Sequence, residues 1–579
     1  MGWISSIVVT FMLGVAQAQP LQPEHGFGVK RTPTVHGQHF MIATAHPLAT
    51  KIGHAILAEG GTVADAAVAA QTVLGLVEPQ SSGLGGGSFA MIYDHQSGLV
   101  TSLDGRETAP RFVDDALFTD KNGKILPWKQ AVPGGRSVGV PGTVDLLDKL
   151  HQRLGQLPVA KLLEPAQKLA ENGFAVTPRL HNSLKKSATS KTPNWGLLDH
   201  GGTAEYFFDA HGKPWPIGHI LKNPEYAATL ATLRLNGLRY FYEGTLAGEI
   251  AKKVQTYPIQ PGTLSFEDMR QYEAKWRDPI CFFYRDHQVC SMGPPSSGGL
   301  TMGQILGMIE PFDMQEMGPS VDAFHILTEA SRLAFADRAK YMADADFVPV
   351  PIRGLLDKNY LKSRSKEIKR FQSIGKAKPG EPPQQIALWG EDNSFERPGT
   401  THMVIYDQYG NALSMTSSIE TGFGSRIFVG GMLLNNQLTD FSFQSKRDGR
   451  PIANAVAPYK RPRSSMTPVI TLEDGKPHIL LGSPGGSRII GYVTLALINM
   501  IDWGLEPTDA LNMGHIVNRN GKTEIEKGSG YVFLGPRLEA RGHSVSIRDM
   551  NSGLGAIIID HHGLRGATDM RREGLVLTD

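Results

Sequence analysis

The sequence predicts an α/β (α+β) fold, because three stretches show the periods of strands and helices in turn. Residues 41–45 have the composition of a strand, and residues 47–59 follow with a helical pattern. Residues 401–407 alternate like a strand, and residues 412–417 return after a short turn. A third stretch, residues 321–343, places apolar residues along one side of a helix.

The remaining elements follow the same two patterns. Residues 63–76 form an alanine-rich helix whose small side chains should pack closely on a sheet, and a tight glycine-rich loop follows at 81–88. Residues 142–260 are mainly helical. The other predicted strands are 89–94, 99–103, 426–429, 468–472 and 478–481.

The composition suits a globular protein and excludes several kinds of partner. The 579 residues are 41% hydrophobic and 20% charged, with a formal net charge of +2. No long Lys/Arg run occurs, so we expect no nucleic-acid partner. After the first segment, no stretch approaches about 18 uninterrupted apolar residues, so we expect a soluble mature chain without a stable membrane span.

Residues 1–18 have the pattern of a signal peptide. An apolar stretch covers residues 4–15, and Ala16-Gln17-Ala18 fits the small-x-small cleavage pattern, which predicts a mature chain that starts at Gln19. Export would make the protein periplasmic or secreted. No Lys or Arg precedes the apolar stretch, so a misassigned start or a short buried helix is the alternative interpretation.

The two cysteines, Cys281 and Cys290, flank a predicted hairpin that turns at Arg285-Asp286. A two-residue turn places them opposite each other at a non-hydrogen-bonded pair, where side chains approach most closely. Export would allow a disulfide between them, whereas a register change of one residue would leave two buried thiols.

A polar stretch rich in Pro and Gly at 365–398 predicts an exposed, mobile connector. It ends at Gly399-Thr400, where a strand begins.

A threonine hydroxyl needs an adjacent base, and a threonine at a chain's amino terminus can use its own α-amine, whose pKa is about 8. Thr400 would first have to attack the Gly399 carbonyl and cut the chain. Taken alone, a Gly-Thr-Thr segment is more often only a turn.

A second chemical signal is the segment 481–487, Leu-Gly-Ser-Pro-Gly-Gly-Ser. Consecutive glycines let backbone N–H groups converge on one point, as an oxyanion hole requires. A tight turn or an anion-binding nest would have the same sequence. The segment lacks the lysine of a P-loop, which disfavours nucleotide binding.

As a set, the motifs resemble those of γ-glutamyltransferase proenzymes, also called glutathione hydrolases. The resemblance covers roughly residues 40–570 and keeps the family's order. The matching segments are 61–71, 78–87, 104–110, 139–142, 294–299, 399–402, 433–437, 463–468 and 483–487.

The resemblance implies a catalytic role for four positions. Thr400 matches the nucleophile and new amino terminus, and Ser418 matches a hydroxyl that assists maturation. Gly485 and Gly486 match the oxyanion hole. The family's fold is a four-layer αββα sandwich of the N-terminal nucleophile hydrolase type.

The resemblance also implies a substrate pocket. Arg106, Ser464 and Ser465 match the clamp on the α-carboxylate, while the α-amino group is assigned to Glu420, Gln437 and Asp440. This set suits a γ-glutamyl head, because Arg can grip a carboxylate with two hydrogen bonds and carboxylates attract an ammonium. Many relatives have Asn where this chain has Glu420. The loop between Asp440 and Ser464 is shorter than in relatives with a lid, which leaves the balance of hydrolysis and transfer open.

These roles imply an autoprocessed γ-glutamyltransferase and glutathione hydrolase. A large subunit of residues 19–399 and a small subunit of residues 400–579 would form one αββα heterodimer, because neither could bury its sheet face alone. The γ-glutamyl group would pass from Thr400 to water, amino acids or peptides. No metal or cofactor is expected.

Three other functions are compatible with the same scaffold. One is an acylase for glutaryl or cephalosporin-type amides, which lack the α-ammonium. Glu420 and Asp440 argue against it, because unpaired carboxylates would face an apolar chain. The others are a depolymerase of poly-γ-glutamate and an uncleaved, non-catalytic γ-glutamyl-binding protein. The complete set of Thr400, Gly485 and Gly486 argues against the binding protein.

Overall fold

Two antiparallel sheets of seven strands each organise the part of the chain that the computed structural model describes, which is residues 31–384, 388–392, 394, 397 and 399–579. The predicted signal peptide, residues 1–18, lies outside these residues. The first sheet has the order Leu575–Thr578, Met41–Thr44, Thr400–Tyr406, Ala412–Ser418, Gly87–Asp94, Leu99–Gly105 and Lys275–Arg277. The second has the order Val35–Gly37, Gly563–Thr568, Gly555–Asp560, Lys476–Gly482, Val469–Glu473, His287–Ser291 and Ile280–Tyr284.

One layer of helices covers the outer face of each sheet. The layer on the first sheet contains Pro47–Ala58, Val63–Val77, Thr143–Leu154, Val159–Asn172, Pro178–Ser187, Gly201–Phe207, Pro224–Asn236, Tyr240–Glu243, Thr245–Gln255 and Phe266–Arg270. The layer on the second sheet contains Gly298–Ile309, Met314–Met317, Val321–Tyr341, Ile352–Leu355, Lys358–Ser365, Ile489–Ile501, Pro507–Asn512 and Gly535–Glu539.

Short elements connect these layers. The remaining helix is Trp128–Ala131, and 3-10 turns lie at Gly135–Ser137, Leu197–Asp199, Gln437–Asp440, Gly486–Arg488 and Gly530–Leu534. Minor strands pair as Phe174–Ala175 with Ile220–Leu221, Phe428–Val429 with Met432–Leu433, Lys446–Arg447 with Arg450–Pro451, and Ile516–Asn518 with Thr523–Glu526 and Val545–Arg548.

The period of a strand divides the apolar residues into two cores. In the strand Thr400–Tyr406, Met403 and Ile405 pack with the first helical layer, whereas Val404 packs between the two sheets. Successive side chains point to opposite faces of a sheet, so a strand buried on both faces stabilises both cores at once. The resulting order of layers is helix, sheet, sheet, helix, as the αββα prediction required.

The predicted hairpin around the candidate nucleophile is confirmed. Thr401 pairs with Ser417, and Tyr406 pairs with Ala412, across a turn at 407–411. The predicted strand at 426–429 is only Phe428–Val429. Arg426 has a φ of 69°, a left-handed conformation that a strand cannot continue through.

The predicted cysteine hairpin is also confirmed. Cys281 pairs with Cys290 in register, their Cα atoms are 4.1 Å apart, and the two sulfurs form a disulfide. Arg285 has a φ of 51°, as a two-residue hairpin turn requires.

The predicted connector is irregular, but its described residues 376–380 are held in place. Gly380 donates its N–H to Asp337 Oδ1 at 2.7 Å, and the Lys378 carbonyl accepts from Arg364 Nη2 at 2.9 Å. Ala377 is buried and donates to Asn520. Lys376 and Lys378 are exposed, as the composition predicts, whereas the burial of Ala377 and the bonds to Asp337 and Arg364 depend on tertiary contacts that composition does not show.

Among the described residues, no helix is long and apolar enough to cross a membrane.

Candidate active site

Thr400 is the first residue of an inner strand of the first sheet and is 3% exposed. Across the ladder it faces Ser418, and the two hydroxyl oxygens are 3.3 Å apart. Arg572 Nη1 donates to the Thr400 carbonyl at 2.8 Å. The ladder and this bond fix the backbone of the candidate nucleophile at the end of the sheet.

Ser418 connects the Thr400 hydroxyl to the Gly399–Thr400 peptide bond. Its Oγ donates to the Gly399 carbonyl at 2.9 Å and accepts from the Glu420 N–H at 2.9 Å. The Ile419 N–H also donates to the Gly399 carbonyl, at 3.3 Å. Two donors therefore polarise this carbonyl and would stabilise negative charge on its oxygen.

Space requires glycine at position 399. A Cβ added there would lie 2.2 Å from the Glu420 carbonyl oxygen, which is backbone and cannot rotate away. The reason for glycine at this position is therefore steric.

Gly485 and Gly486 are fixed by their backbone conformation. Their φ angles are 142° and 60°, which favour glycine, and a Cβ on Gly485 would lie 2.6 Å from the Tyr492 ring. They precede the 3-10 turn Gly486–Arg488 and the helix Ile489–Ile501. N–H groups at the amino end of a helix favour negative charge, as an oxyanion site requires.

The predicted catalytic and substrate-binding residues converge on one cavity of about 20 Å³. Gly485 is the predicted residue that does not line it, and it precedes Gly486, which does. The cavity is lined by Arg106, Arg397, Thr400, Ser418, Glu420, Gln437, Asp440, Ser464, Ser465, Met466, Gly486 and Ile489.

Arg106 is buried and linked to Asp440. Arg106 Nη2 donates to Asp440 Oδ2 at 2.6 Å and to the Arg463 carbonyl at 2.9 Å, while Nε donates to the Pro462 carbonyl at 3.1 Å. The sequence had assigned these two side chains to opposite charges of one ligand. The structure shows that they also form an ion pair with each other.

Glu420 and Asp440 are two buried acids, and the charge of Asp440 affects the ionisation of Glu420. Burial raises the pKa of Glu420 well above its usual value, and the nearby Asp440 carboxylate raises it further. Asn436 Nδ2 donates to Glu420 at 2.7 Å, and Gln437 Nε2 donates to Asp440 at 2.6 Å. Both effects favour the protonated form of Glu420, while Asp440 is paired with Arg106. Glu420 also has a φ of 75°, a strained conformation that is typical of functional sites.

Residues of the second helical layer form hydrogen bonds to Ser464 and Ser465. The Ser464 carbonyl accepts from the Ser297 N–H at 2.8 Å, and Arg338 bridges the two segments. Arg338 Nε donates to Ser297 Oγ at 2.8 Å, and its Nη2 donates to Ser465 Oγ at 2.8 Å. The helix Val321–Tyr341 thus positions one side of the cavity.

The segment between Asp440 and Ser464 is folded. It contains the hairpin Lys446–Arg447 with Arg450–Pro451, and Ile452 bridges to Gly390. Asn454 Nδ2 donates to the Asp440 carbonyl at 2.8 Å. This segment therefore holds the backbone of Asp440 in place.

His402, two residues after the candidate nucleophile, does not supply a base. Burial lowers its pKa to about 3, so the imidazole is neutral, and its Nδ1 lies 2.9 Å from Thr416 Oγ1. Thr401 likewise points away from Ser418, because its hydroxyl donates to Ser82 at 2.9 Å.

The sequence reasoning missed four side chains of the site. Arg397 lines the cavity, and its N–H donates to Glu420 at 3.2 Å. Arg397 lies two residues before the recognised segment 399–402, and Asn436 lies inside the recognised segment 433–437, so these motifs were the available signal. Arg338 lies in a stretch whose pattern indicated only a helix, and Arg572 lies outside the recognised segments.

Comparison with known proteins identifies the family. The family described as gamma-glutamyltranspeptidase matches residues 49–578. The glutathione hydrolase proenzyme of Escherichia coli K12 is 37% identical over 574 residues, which cover 96% of this chain and 95% of that protein. The chain belongs to the γ-glutamyltranspeptidase family. As a member of that family it is an enzyme.

Solved structures share the fold of this γ-glutamyltranspeptidase family member. The cephalosporin acylase from Bacillus halodurans has a TM-score of 0.83 and 27% identity and covers 99% of both chains. The γ-glutamyltranspeptidase of Helicobacter pylori has a TM-score of 0.56 and 35% identity, and covers 62% of this chain and 99% of its own. The predicted N-terminal nucleophile hydrolase fold is confirmed.

Proposed function

We propose that the chain is an exported, self-cleaving γ-glutamyltransferase and glutathione hydrolase whose nucleophile is Thr400. One observation carries the proposal. A single buried cavity combines the hydroxyls of Thr400 and Ser418 and the Gly486 backbone with the charged group of Arg106 and Asp440. The first set suits acyl transfer, and the second suits a ligand with one carboxylate and one ammonium.

Maturation begins with attack of Thr400 Oγ on the Gly399 carbonyl carbon. The C–N bond breaks, the hydroxyl proton passes to the departing Thr400 nitrogen, and an ester joins Gly399 to Thr400 Oγ. Water then hydrolyses this ester, which leaves the Gly399 carboxylate and the free α-amine of Thr400. The Ser418 hydroxyl and the Ile419 N–H support the first step, because both contact the Gly399 carbonyl oxygen.

Loss of the Ser418 hydroxyl should slow this cleavage. Ser418→Ala removes one of the two donors on the Gly399 carbonyl, and one such donor contributes about 10²- to 10³-fold in rate. Gel analysis of newly made protein over time measures the cut fraction. Ser418→Thr keeps the hydroxyl and should cut faster than Ser418→Ala. Equal rates for wild type and Ser418→Ala would contradict this role.

The two products, residues 19–399 and 400–579, should stay together as a heterodimer. The strand Thr400–Tyr406 of the small subunit pairs with Met41–Thr44 of the large one, and Ala412–Ser418 pairs with Gly87–Asp94. Each subunit also contributes strands to the second sheet. Separation would expose both sheet faces and their unpaired edges.

Cleavage also opens the substrate site. In the uncut chain, Arg397 lines the cavity and its backbone N–H donates to Glu420, so Arg397 occupies part of the pocket. Once Arg397 withdraws, the γ-glutamyl α-carboxylate contacts Arg106, Ser464 and Ser465. The α-ammonium then lies between Asp440 and Glu420, where it takes the place of the shared proton.

The reaction is a double displacement without metal or cofactor. Thr400 Oγ attacks the γ-amide carbonyl while the α-amine takes its proton, and the Gly485 and Gly486 amides hold the oxyanion. The amine product, which is Cys-Gly for glutathione, leaves with that proton. Water, an amino acid or a peptide then resolves the γ-glutamyl ester on Thr400.

The deciding experiment compares kcat/KM for γ-glutamyl-anilide and glutaryl-anilide. The two donors differ only in the α-ammonium, and the acylase with the same fold makes a glutaryl donor the relevant rival. We expect a strong γ-glutamyl preference, because a glutaryl chain leaves Asp440 and Glu420 without a ligand. A glutaryl preference would instead assign the protein to the acylases. Thr400→Ala serves as the inactive control.

A further inference from the structure

Two histidines and a glutamate meet on the second sheet, outside the active-site cavity. His287 starts the strand His287–Ser291, and His478 lies in Lys476–Gly482. The strand between these two ends at Glu473. The imidazoles reach over the middle strand, so that His287 Nε2 and His478 Nδ1 are 3.0 Å apart. Glu473 Oε2 lies 3.5 Å from His478 Nδ1.

We propose that His287, Glu473 and His478 bind a divalent transition-metal ion of the Zn²⁺ type. Tetrahedral Zn²⁺ with ligand bonds of about 2.0–2.1 Å places neighbouring ligand atoms about 3.3 Å apart. The measured separations of 3.0 Å and 3.5 Å lie on either side of that value. Two imidazoles and one carboxylate are a donor set that zinc accepts, with water as the fourth ligand.

The surroundings favour metal binding over a purely structural pair. The side chain of Glu473 is 54% exposed and that of His478 is 18% exposed, so an ion and a water molecule can enter.

The simpler alternative is an N–H···N hydrogen bond between the two imidazoles, which the 3.0 Å distance also fits. Metal binding requires each neutral ring to carry its hydrogen on the other nitrogen, which for His287 is Nδ1, a buried atom without a hydrogen-bond partner among the described residues. In a hydrogen-bonded pair Glu473 acts on His478 only through its charge, whereas in a metal site it is a ligand. Zinc binding, and its weakening in Glu473→Gln, therefore separates the two interpretations.

A second histidine cluster, formed by His325, Glu329 and His543, does not compete for this assignment. His325 Nε2 lies 2.7 Å from the Lys369 carbonyl, and Arg332 Nε donates to Glu329 at 2.8 Å. All three ligand residues are buried, and a buried guanidinium beside them opposes a second cation.

The experiment is a calorimetric titration of the mature protein, made without a polyhistidine tag, with Zn²⁺. We expect one equivalent to bind, and we expect His478→Ala to weaken this binding at least about tenfold. The double variant His561→Ala/His562→Ala removes an exposed histidine pair elsewhere on the same surface and should bind as wild type does.

Glu473→Gln provides a second test that does not depend on a histidine substitution folding correctly. Its side chain is half exposed, so the change should leave the fold intact and still weaken zinc binding. No binding by the wild type would overturn the proposal. Undiminished binding by both His478→Ala and Glu473→Gln would overturn it as well. Hydrolysis of γ-glutamyl-anilide should persist in EDTA, because the cluster lies outside the cavity of Thr400.

Discussion

Thr400→Ala should remain one uncut chain without γ-glutamyl activity. The alanine lacks the oxygen that attacks Gly399 and later carries the γ-glutamyl group, so both steps fail together. Removing the nucleophile of a covalent hydrolase lowers the rate on the order of 10⁶-fold. The fold should survive, because the Arg572 bond to residue 400 uses the backbone carbonyl and the ladder bonds remain.

Intact-mass measurement distinguishes the outcomes. Wild-type protein should give two masses, which correspond to residues 19–399 and 400–579, and Thr400→Ala should give one. Thr401→Ala is the matched control, because the Thr401 hydroxyl donates to Ser82 and not to Ser418, and this variant should still be cut. A cut between Gly399 and residue 400 in Thr400→Ala would show that another protease, or another group, performs the maturation.

Local patterns predicted the parts of the fold that local forces determine. The hairpin after Thr400 and the Cys281–Cys290 pair follow from alternation and turn chemistry, which act over a few residues. The order of the strands within each sheet does not follow from such local patterns. Met41–Thr44 pairs with Thr400–Tyr406 across more than 350 residues, and no local pattern specifies such a pairing. Only the resemblance to a known family predicted two stacked sheets.

The residues of the candidate site also divide into those that could be predicted and those that could not. The resemblance named the residues that line the cavity, but not the side chains that hold them. Arg338 lies in a helix that is buried nearly all round, so its periodicity could not show which residue contacts Ser465. Arg106 and Asp440 belong to motifs that are far apart in the sequence. Only the folded chain shows that these two side chains form an ion pair.

Asp440→Asn should lower kcat/KM for γ-glutamyl-anilide about 10²- to 10³-fold. Asp440 holds the negative charge beside Arg106, at 2.6 Å, and breaking a buried ion pair costs about 3–5 kcal/mol. The substrate ammonium loses its charged partner in the same variant. The effect on glutaryl-anilide should be smaller, since that donor has no ammonium, so the preference between the two should narrow. Normal cleavage of the chain would show that the variant is folded.

Glu420→Gln provides the matched comparison, because burial and the nearby Asp440 favour the protonated form of Glu420. The amide has the same size, donates to Asp440 as the protonated carboxyl does, and can still accept from Asn436. We expect kcat/KM to fall by no more than about tenfold, a loss of about 1.4 kcal/mol. Equal losses in the two variants would mean that the charge is not held on Asp440. The ammonium would then be bound by Glu420, the residue at which this chain departs from many relatives, and donor binding would release the proton that the two carboxyls share.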